Sequence, residues 1–258
     1  MFLMESFFIF FMFLFGLIIG SFLNCLIWRL YKEETVLGRS YCPKCGQELR
    51  WYDNIPVLSF IFLKGKCRFC GDKISWQYPL VEIITGLLFA FSYYFSLQNG
   101  LSFLELFFYF FVISLSIIIF VFDLRWYLIP VWVVIIGGVL IISLNIFFGA
   151  SILNVLLSML IGASFFGLQY LITRGKGIGE GDIWLGALFG AIFPDIKLLI
   201  LSIFLTYIIG GLVAMVLIIF KIKKIGSRLP LGIFLSLSLL IVLFFGKEIV
   251  NWYFSLIF

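Results

Sequence analysis

Eight apolar runs separated by short polar stretches set the pattern of this 258-residue chain. The first covers residues 6–28 and holds no charge from Ser6 to Trp28. Others lie near 80–97, 104–122, 131–148, 153–172, 183–193, 198–220 and 231–246. Most approach the roughly 20 residues that a helix needs to cross a bilayer, so each predicts a spanning helix. The run at 183–193 has about half that length, which predicts a re-entrant or protein-buried helix, or one continuing past Pro194. Before the first run stands only Glu5, with no basic leader segment and no small-residue cleavage site after it, so an uncleaved first helix is expected. Ile249–Phe258 is too short to span and is expected at the membrane interface, with Trp252 and Tyr253 as anchors.

Composition strengthens this picture. Hydrophobic residues make up 64% of the chain and mean hydropathy is +1.21, against roughly 45–50% apolar usage in soluble domains. The expected fold is an all-α polytopic membrane protein of about eight transmembrane helices set in a lipid bilayer. Histidine is absent. That excludes Ser-His-Asp and Cys-His nucleophilic sites, HExxH zinc sites and His-ligated haem. Acid–base chemistry is left to Asp, Glu, Lys, Tyr or Cys.

Residues 31–79 break the apolar pattern, being charged, rich in turns and home to four of the five cysteines. Cys42-x2-Cys45 and Cys67-x2-Cys70 present two pairs of thiolates, the spacing of a four-coordinate structural zinc site. Pro43, Gly46 and Gly71 suit the tight turns that such knuckles need. Disulfides or a redox pair are the alternatives, and the compartment decides between them. Threading the eight runs alternately puts 31–79, 123–130, 173–182 and 221–230 on one side. Nine Lys and Arg fall in 29–79, joined by Arg125, Arg174, Lys176, Lys221, Lys223, Lys224 and Arg228. Sixteen of the 18 basic residues thus share a side, and only Lys197 and Lys247 lie opposite. Positive residues mark the cytoplasmic face, where thiols stay reduced, so zinc is favoured over disulfides. Three segments are expected: a first transmembrane helix (1–30), a cytoplasmic zinc-binding insertion (31–79) and a membrane-embedded domain (80–258). Ser21 and Asn24, near the end of the first run, either bond neighbouring helices or line a polar cavity. Cys25 is expected to be a packing residue.

Of the 13 acids, most fall in the cysteine segment or on the opposite side. Glu82 and Glu105 lie near the starts of the second and third runs. Asp123, directly after the third run, and Asp182, opening the sixth, share the cytoplasmic boundary with the cysteines. Gly177-Ile178-Gly179-Glu180-Gly181 precedes Asp182, and glycines there are expected to permit positive φ and close approach of an extended substrate. Two shielded carboxylates share a proton and titrate as a unit. One then acts as base on water and the other as acid toward a carbonyl oxygen, which is peptide hydrolysis without a nucleophilic side chain. Blander roles stay open: Asp123 paired with Arg125 or a lipid headgroup, and Asp182 as a helix N-cap. A phosphate-binding loop lacks its strand and Lys-Ser/Thr, and no nucleic-acid partner is expected. A transporter or scaffold with a zinc module is the alternative function, although a transporter wants acids at mid-membrane depth.

The motifs run in order along nearly the whole chain. They are Gly20-Ser21-Phe22-Leu23-Asn24 with Arg29, Cys42-Pro43-x-Cys45-Gly46, Trp51-Tyr52-Asp53-Asn54-Ile55-Pro56-Val57-Leu58-Ser59, Gly65-Lys66-Cys67-x-x-Cys70-Gly71, Tyr78-Pro79-Leu80-Val81-Glu82, the Asp123 segment, and Gly179-x-Gly181-Asp182. Through them the chain resembles the type IV prepilin peptidases, the prepilin leader peptidase/N-methyltransferases of type IV pili, type II secretion and competence pseudopili. The resemblance implies a GxGD-type membrane aspartic peptidase with Asp123 and Asp182 as its pair, supported by Gly179 and Gly181. It implies cleavage of basic leaders from prepilins or pseudopilins after a glycine at the cytoplasmic face. It also implies methylation of the new N-terminus with S-adenosylmethionine, together with a structural zinc on Cys42, Cys45, Cys67 and Cys70. No residue of the sequence marks a methyl-donor site. The chain departs from the family pattern where Val131 follows Ile129-Pro130 in place of an acid. It departs again at Trp184, where a lysine is common, for which Arg174 or Lys176 is a candidate replacement. Leu229-Pro230-Leu231-Gly232 matches only in part.

Overall fold

The computed structural model describes residues 2–224, 227 and 229–256, with the backbone alone at Phe2 and Leu3. Arg228, counted above among the basic residues, and the tail residues Ile257 and Phe258 lie outside the described residues. Nine helices and one 3₁₀ turn make up the secondary structure among the described residues: α1 (Phe2–Lys32), the turn (Trp51–Asn54), α2 (Leu58–Phe62), α3 (Gln77–Asn99), α4 (Phe103–Trp126), α5 (Val131–Phe147), α6 (Ile152–Thr173), α7 (Glu180–Ile192), α8 (Ile196–Ile219) and α9 (Leu231–Ser255). α1, α3, α4, α6, α8 and α9 are long and apolar enough to cross a membrane, and α5 is a shorter apolar helix. With α7, the eight apolar runs each correspond to a helix. The chain divides into two compact units, residues 1–117 and 118–258, with the boundary inside α4.

In the first unit α1 packs along α3. A Cβ on Gly16 would lie 2.7 Å from the Gly86 Cα, and one on Gly20 would lie 2.7 Å from the Glu82 Cα. Small residues four apart let two backbones approach, which is how helices associate where lipid removes the hydrophobic drive. Phe89 of α3 stacks on Phe110 of α4 at 4.1 Å between ring centroids. Asn24 donates to the Tyr78 carbonyl (3.0 Å) and accepts from Gln77 Nε2 (3.2 Å), while Ser21 hydrogen-bonds the Glu82 carboxylate. Of the two roles left open for Ser21 and Asn24, bonding a neighbouring helix is the one realised.

The second unit is built around α7. Thirteen residues at about 1.5 Å each span about 20 Å, short of the roughly 30 Å hydrocarbon layer. The helix is instead enclosed by protein, with Leu185, Leu188, Phe189, Ala191 and Ile192 all buried. A Cβ on Gly162 of α6 would fall 2.1 Å from the Gly186 carbonyl oxygen, and one on Gly190 would fall 2.3 Å from Ser158, so α6 and α7 touch backbone to backbone. The end of α7 needs donors for its open carbonyls. Asn145 Nδ2 donates to Ala191 O (2.8 Å), and just past the helix Ser158 Oγ donates to Pro194 O (3.0 Å). Of the readings of 183–193, the protein-buried helix holds: it stops before Pro194, and Asp195 caps a new helix by accepting from the Lys197 N–H. On the far side, α8 and α9 pair through Thr206 Oγ1 and Ser238 Oγ at 2.6 Å.

Residues 249–255 continue α9 to Ser255. Within it Gly246 admits Leu198 of α8, whose Cδ2 would stand 2.9 Å from a Cβ at that position. The added turns place Phe254 under the Lys197 ammonium, 4.8 Å from its ring centroid. Trp252 and Tyr253 are exposed.

Candidate functional site

Asp123 stands near the C-terminal end of α4 and is only 5% exposed. Its Oδ2 accepts from the Ile233 N–H (3.2 Å), and the Gly232 N–H also points to it. Both amides belong to the first turn of α9, whose unpaired N–H groups and positive dipole end favour an anion. The approach requires Gly232, since a Cβ there would lie 2.8 Å from Asp123 Oδ2.

Asp182 is the third residue of α7 and is 8% exposed. Its Oδ2 accepts from the Gly179 N–H at 2.9 Å. The N-cap role weighed above is therefore partly realised, with Gly179 at the cap and Asp182 reaching back to it. The two carboxylates are close enough to feel each other's charge. Gly181 makes this possible: a Cβ there would collide with Ile129 Cβ and Cγ1 at 2.7 Å. Glycine thus lets the start of α7 press against the segment that follows α4.

The expectation of positive φ in the glycine run is not met. Gly177, Gly179 and Gly181 lie outside the left-handed region, and the chain turns earlier, at Arg174 (φ 51°) and Gly175 (φ 70°). The left-handed residues sit where α6 ends and reverses, and the run itself already leads into α7. Gly179 contributes its N–H, and a Cβ on it would meet nothing closer than Asp182 Oδ2 at 3.6 Å. Among the described residues no Lys or Arg forms an ion pair with either aspartate. Arg125 instead covers the Trp126 ring, its guanidinium 5.3 Å from the centroid. Arg174 and Lys176 are exposed and form no ion pair with either carboxylate.

The four cysteines converge. The sulfurs of Cys42, Cys45, Cys67 and Cys70 all lie within 4.8 Å of one another, and none is in a disulfide. Two knuckles repeat each other bond for bond. Cys42 N–H donates to Gln47 O as Cys67 N–H does to Asp72 O; Gly46 N–H donates to Cys42 O as Gly71 N–H does to Cys67 O; Leu49 N–H donates to Ser40 O as Ile74 N–H does to Gly65 O. Gly46 (φ 71°) and Gly71 (φ 74°) occupy the left-handed position in each. Amides aimed at sulfur prepare thiolates: the Cys70 N–H, offset by burial and aided by the Phe69 N–H, leaves the Cys67 thiol lowered to about 7. Burial, first among several influences, raises that of Cys42. Such a quartet can hold a metal ion. Asp53, buried, braces it by taking Arg68 Nε (2.9 Å) and Nη2 (2.8 Å) on one oxygen.

Three contributors were not evident from sequence. The amides of Gly232 and Ile233 were hidden in a motif that matches its pattern only in part, although Pro followed two residues later by Gly at a helix start was a usable signal. The brace between Asp53 and Arg68 and the bond from Val57 N–H to Glu82 Oε2 (2.7 Å) join residues far apart in the chain and left no local sign.

Comparison with known proteins adds to this geometry. The family described as Bacterial Peptidase A24 N-terminal domain matches residues 14–96, which contain the four cysteines. The Type IV leader peptidase family matches residues 110–215, which contain both aspartates. The prepilin leader peptidase/N-methyltransferase of Bacillus subtilis (strain 168) is 34% identical over 250 residues, 94% of this chain and 96% of that protein. Proteins of the same name from Legionella pneumophila and Pseudomonas aeruginosa are 31% and 30% identical, each over 93% of this chain and 92% and 91% of their own lengths. No solved structure matches the chain.

Proposed function

The chain belongs to the prepilin leader peptidase/N-methyltransferase family, and from that premise we propose that it removes the leader peptide of type IV prepilins and pseudopilins with Asp123 and Asp182 as its catalytic pair. The observation that carries the assignment is the convergence of two buried carboxylates from helix ends remote in sequence, each tied by Oδ2 to backbone N–H and, among the described residues, neither in an ion pair with a basic side chain. An acid held only by amides keeps its orientation and remains able to exchange a proton. One aspartate takes a proton from water as the water attacks the scissile carbonyl. The other gives a proton to the carbonyl oxygen, and the pair then protonates the departing amine. The amides of Gly232 and Ile233 hold Asp123 through the cycle, and Gly181 keeps Asp182 near it.

In this reading the active site and the cysteine cluster face the cytoplasm, on the side that collects the basic residues, and the chain is organised as 1–30, 31–79 and 80–258. The cysteine quartet binds zinc as a structural ion. With Zn–S near 2.3 Å, a tetrahedral site needs sulfurs about 3.8 Å apart, and Cys42 Sγ and Cys70 Sγ stand 3.9 Å apart. Four thiolates would fill the four positions of such an ion, so it would hold the fold and leave no place for a reacting water.

The relatives' name extends to N-methylation, and S-adenosylmethionine is the donor that this chemistry implies. A groove of about 680 Å³ beside the cysteines, lined by Arg39, Arg50, Trp51 and Tyr52 among others, contains no carboxylate. None of these residues is shown to hold a methyl donor, and no methyl-transfer step is derived. The test of the peptidase is direct. Asp123→Ala and Asp182→Ala should each lower cleavage of a prepilin peptide by about 10³-fold or more while the protein still inserts in the membrane. Normal processing by either variant would end the proposal.

A further inference from the structure

The cysteine segment carries an unexplained apolar surface on α2. In this short helix Phe60 turns inward, its ring 4.9 Å from that of Trp76 and 3.2 Å from where a Cβ on Gly65 would be. The other large side chains turn out: Leu58 is 51% exposed, Ile61 61% and Phe62 80%, with Trp76 beside them at 69%. Exposed clusters of this kind mark an interaction surface.

Two observations say what covers it. The first is depth. Val57, which caps α2, sits at φ 59° and ψ −49°, with the Leu58 N–H bonded to the Pro56 carbonyl at 2.6 Å. This is a γ-turn, strained for a β-branched residue. Its free N–H donates to Glu82 Oε2 at 2.7 Å, and Glu82 is the sixth residue of membrane-spanning α3, about 8 Å along it. The start of α2 is therefore fastened below the end of a spanning helix, where the interface begins. The second is charge. Lys64, Lys66 and Lys73 follow α2 and are exposed, with Lys66 and Lys73 paired across one knuckle. No acid stands between Asp53 and Asp72.

We propose that α2 is a membrane-surface anchor: Leu58, Ile61, Phe62 and Trp76 enter the interfacial layer of the bilayer, and the three lysines face anionic headgroups. Glu82 and the strained turn at Val57 hold α2 at that depth, which moors the cysteine knuckles to the membrane surface beside α3. This inference rests on the membrane character of the chain and is independent of the peptidase reading.

The test places p-benzoylphenylalanine at Phe62, and separately at Ile61, in the full-length protein, reconstituted in nanodiscs of phosphatidylcholine and phosphatidylglycerol with a prepilin peptide added. After irradiation, adducts are identified by mass, and retained metal reports an intact cysteine domain. Lipid adducts at both positions are expected, with a several-fold lower yield when phosphatidylglycerol is omitted. Adducts confined to the prepilin peptide would make this a substrate-docking face, and adducts only to the protein's own peptides, or none, would leave α2 off the bilayer. Each of those results overturns the proposal. As a second measurement, Ile61→Asp with Phe62→Asp should speed amide exchange across residues 57–64 by about ten-fold with metal content unchanged, and unchanged exchange counts against it.

Discussion

The two candidate centres of this protein are built in opposite ways. The cysteine cluster is a local construction: two copies of one turn, each closed by the same three backbone hydrogen bonds, supply two sulfurs apiece, and only the meeting of the copies is long-range. The aspartate pair has no local unit at all. Asp123 comes from the end of α4, Asp182 from the start of α7, and the amides that hold Asp123 from the start of α9. What fixes the first centre is turn chemistry, repeated in two knuckles. What fixes the second is how closely helices can pack, which in turn depends on missing side chains at Gly181, Gly232, Gly162 and Gly186. A centre of the first kind should fail by losing a thiol, and one of the second kind by gaining a methyl group.

That contrast can be broken experimentally. The largest effect is expected in the cysteine unit: Cys67→Ser with Cys70→Ser should release the metal and disorder residues 40–75. Amide exchange in α6–α9 should stay as it was, as mass-resolved exchange would show. If those helices also loosen, the two centres are not separately built. Next comes Gly181→Ala, which drives a Cβ into Ile129. Overpacking of this kind costs about 1–3 kcal/mol, and displacing Asp182 by a fraction of an ångström should lower kcat/KM for prepilin cleavage by up to about 10²-fold. Gly232→Ala, which crowds Asp123 Oδ2 directly, should behave alike. Gly179→Ala sharpens the comparison, because its Cβ meets only ordinary contacts, and its cost should stay within a few tenths to about 1 kcal/mol of helix stability. Equal losses at 179 and 181 would refute the steric account.

The smallest effect is one of pH in the metal-free cysteine unit. Cys67 is lowered to about 7 from an ordinary value of 9, so its thiolate contributes stability above 9 that is lost as pH falls through 7. Alkylation followed by mass analysis should label Cys67 ahead of Cys42, which burial shifts the other way. The reverse order would contradict the amide-to-sulfur geometry.

These differences also explain what the amino-acid pattern disclosed. The cysteine spacing announced its cluster because each knuckle is encoded within a few residues. The apolar runs announced the helices, since length and polarity alone decide whether a segment can cross lipid. Asp123 and Asp182 stood out as acids at helix ends, with Gly179 beside Asp182, but the amides that hold Asp123 did not. Gly232 belongs to a segment whose pattern was only partly familiar, and the bond from Val57 to Glu82 joins residues 25 apart. The positive φ expected of the glycine run is absent for a related reason. Positive φ is a property of the local chain, whereas the contact of Gly181 with Ile129 exists only once α7 has packed. The short run at 183–193 is settled only by its packing, where Asn145 of α5 satisfies the Ala191 carbonyl at its end. The contacts of α9 with Leu198 and Lys197 of α8 likewise exist only once the helices have packed.

The central claim is that Asp123 and Asp182 work as one unit, and single-turnover cleavage of a prepilin peptide tests it most directly. Asp123→Asn, Asp182→Asn and the double variant should be compared at equal membrane insertion. If the two carboxylates share the work, each single change abolishes cleavage to the same residual rate and the double change costs nothing more. Losses that multiply in the double variant, or normal processing by either single one, would contradict it.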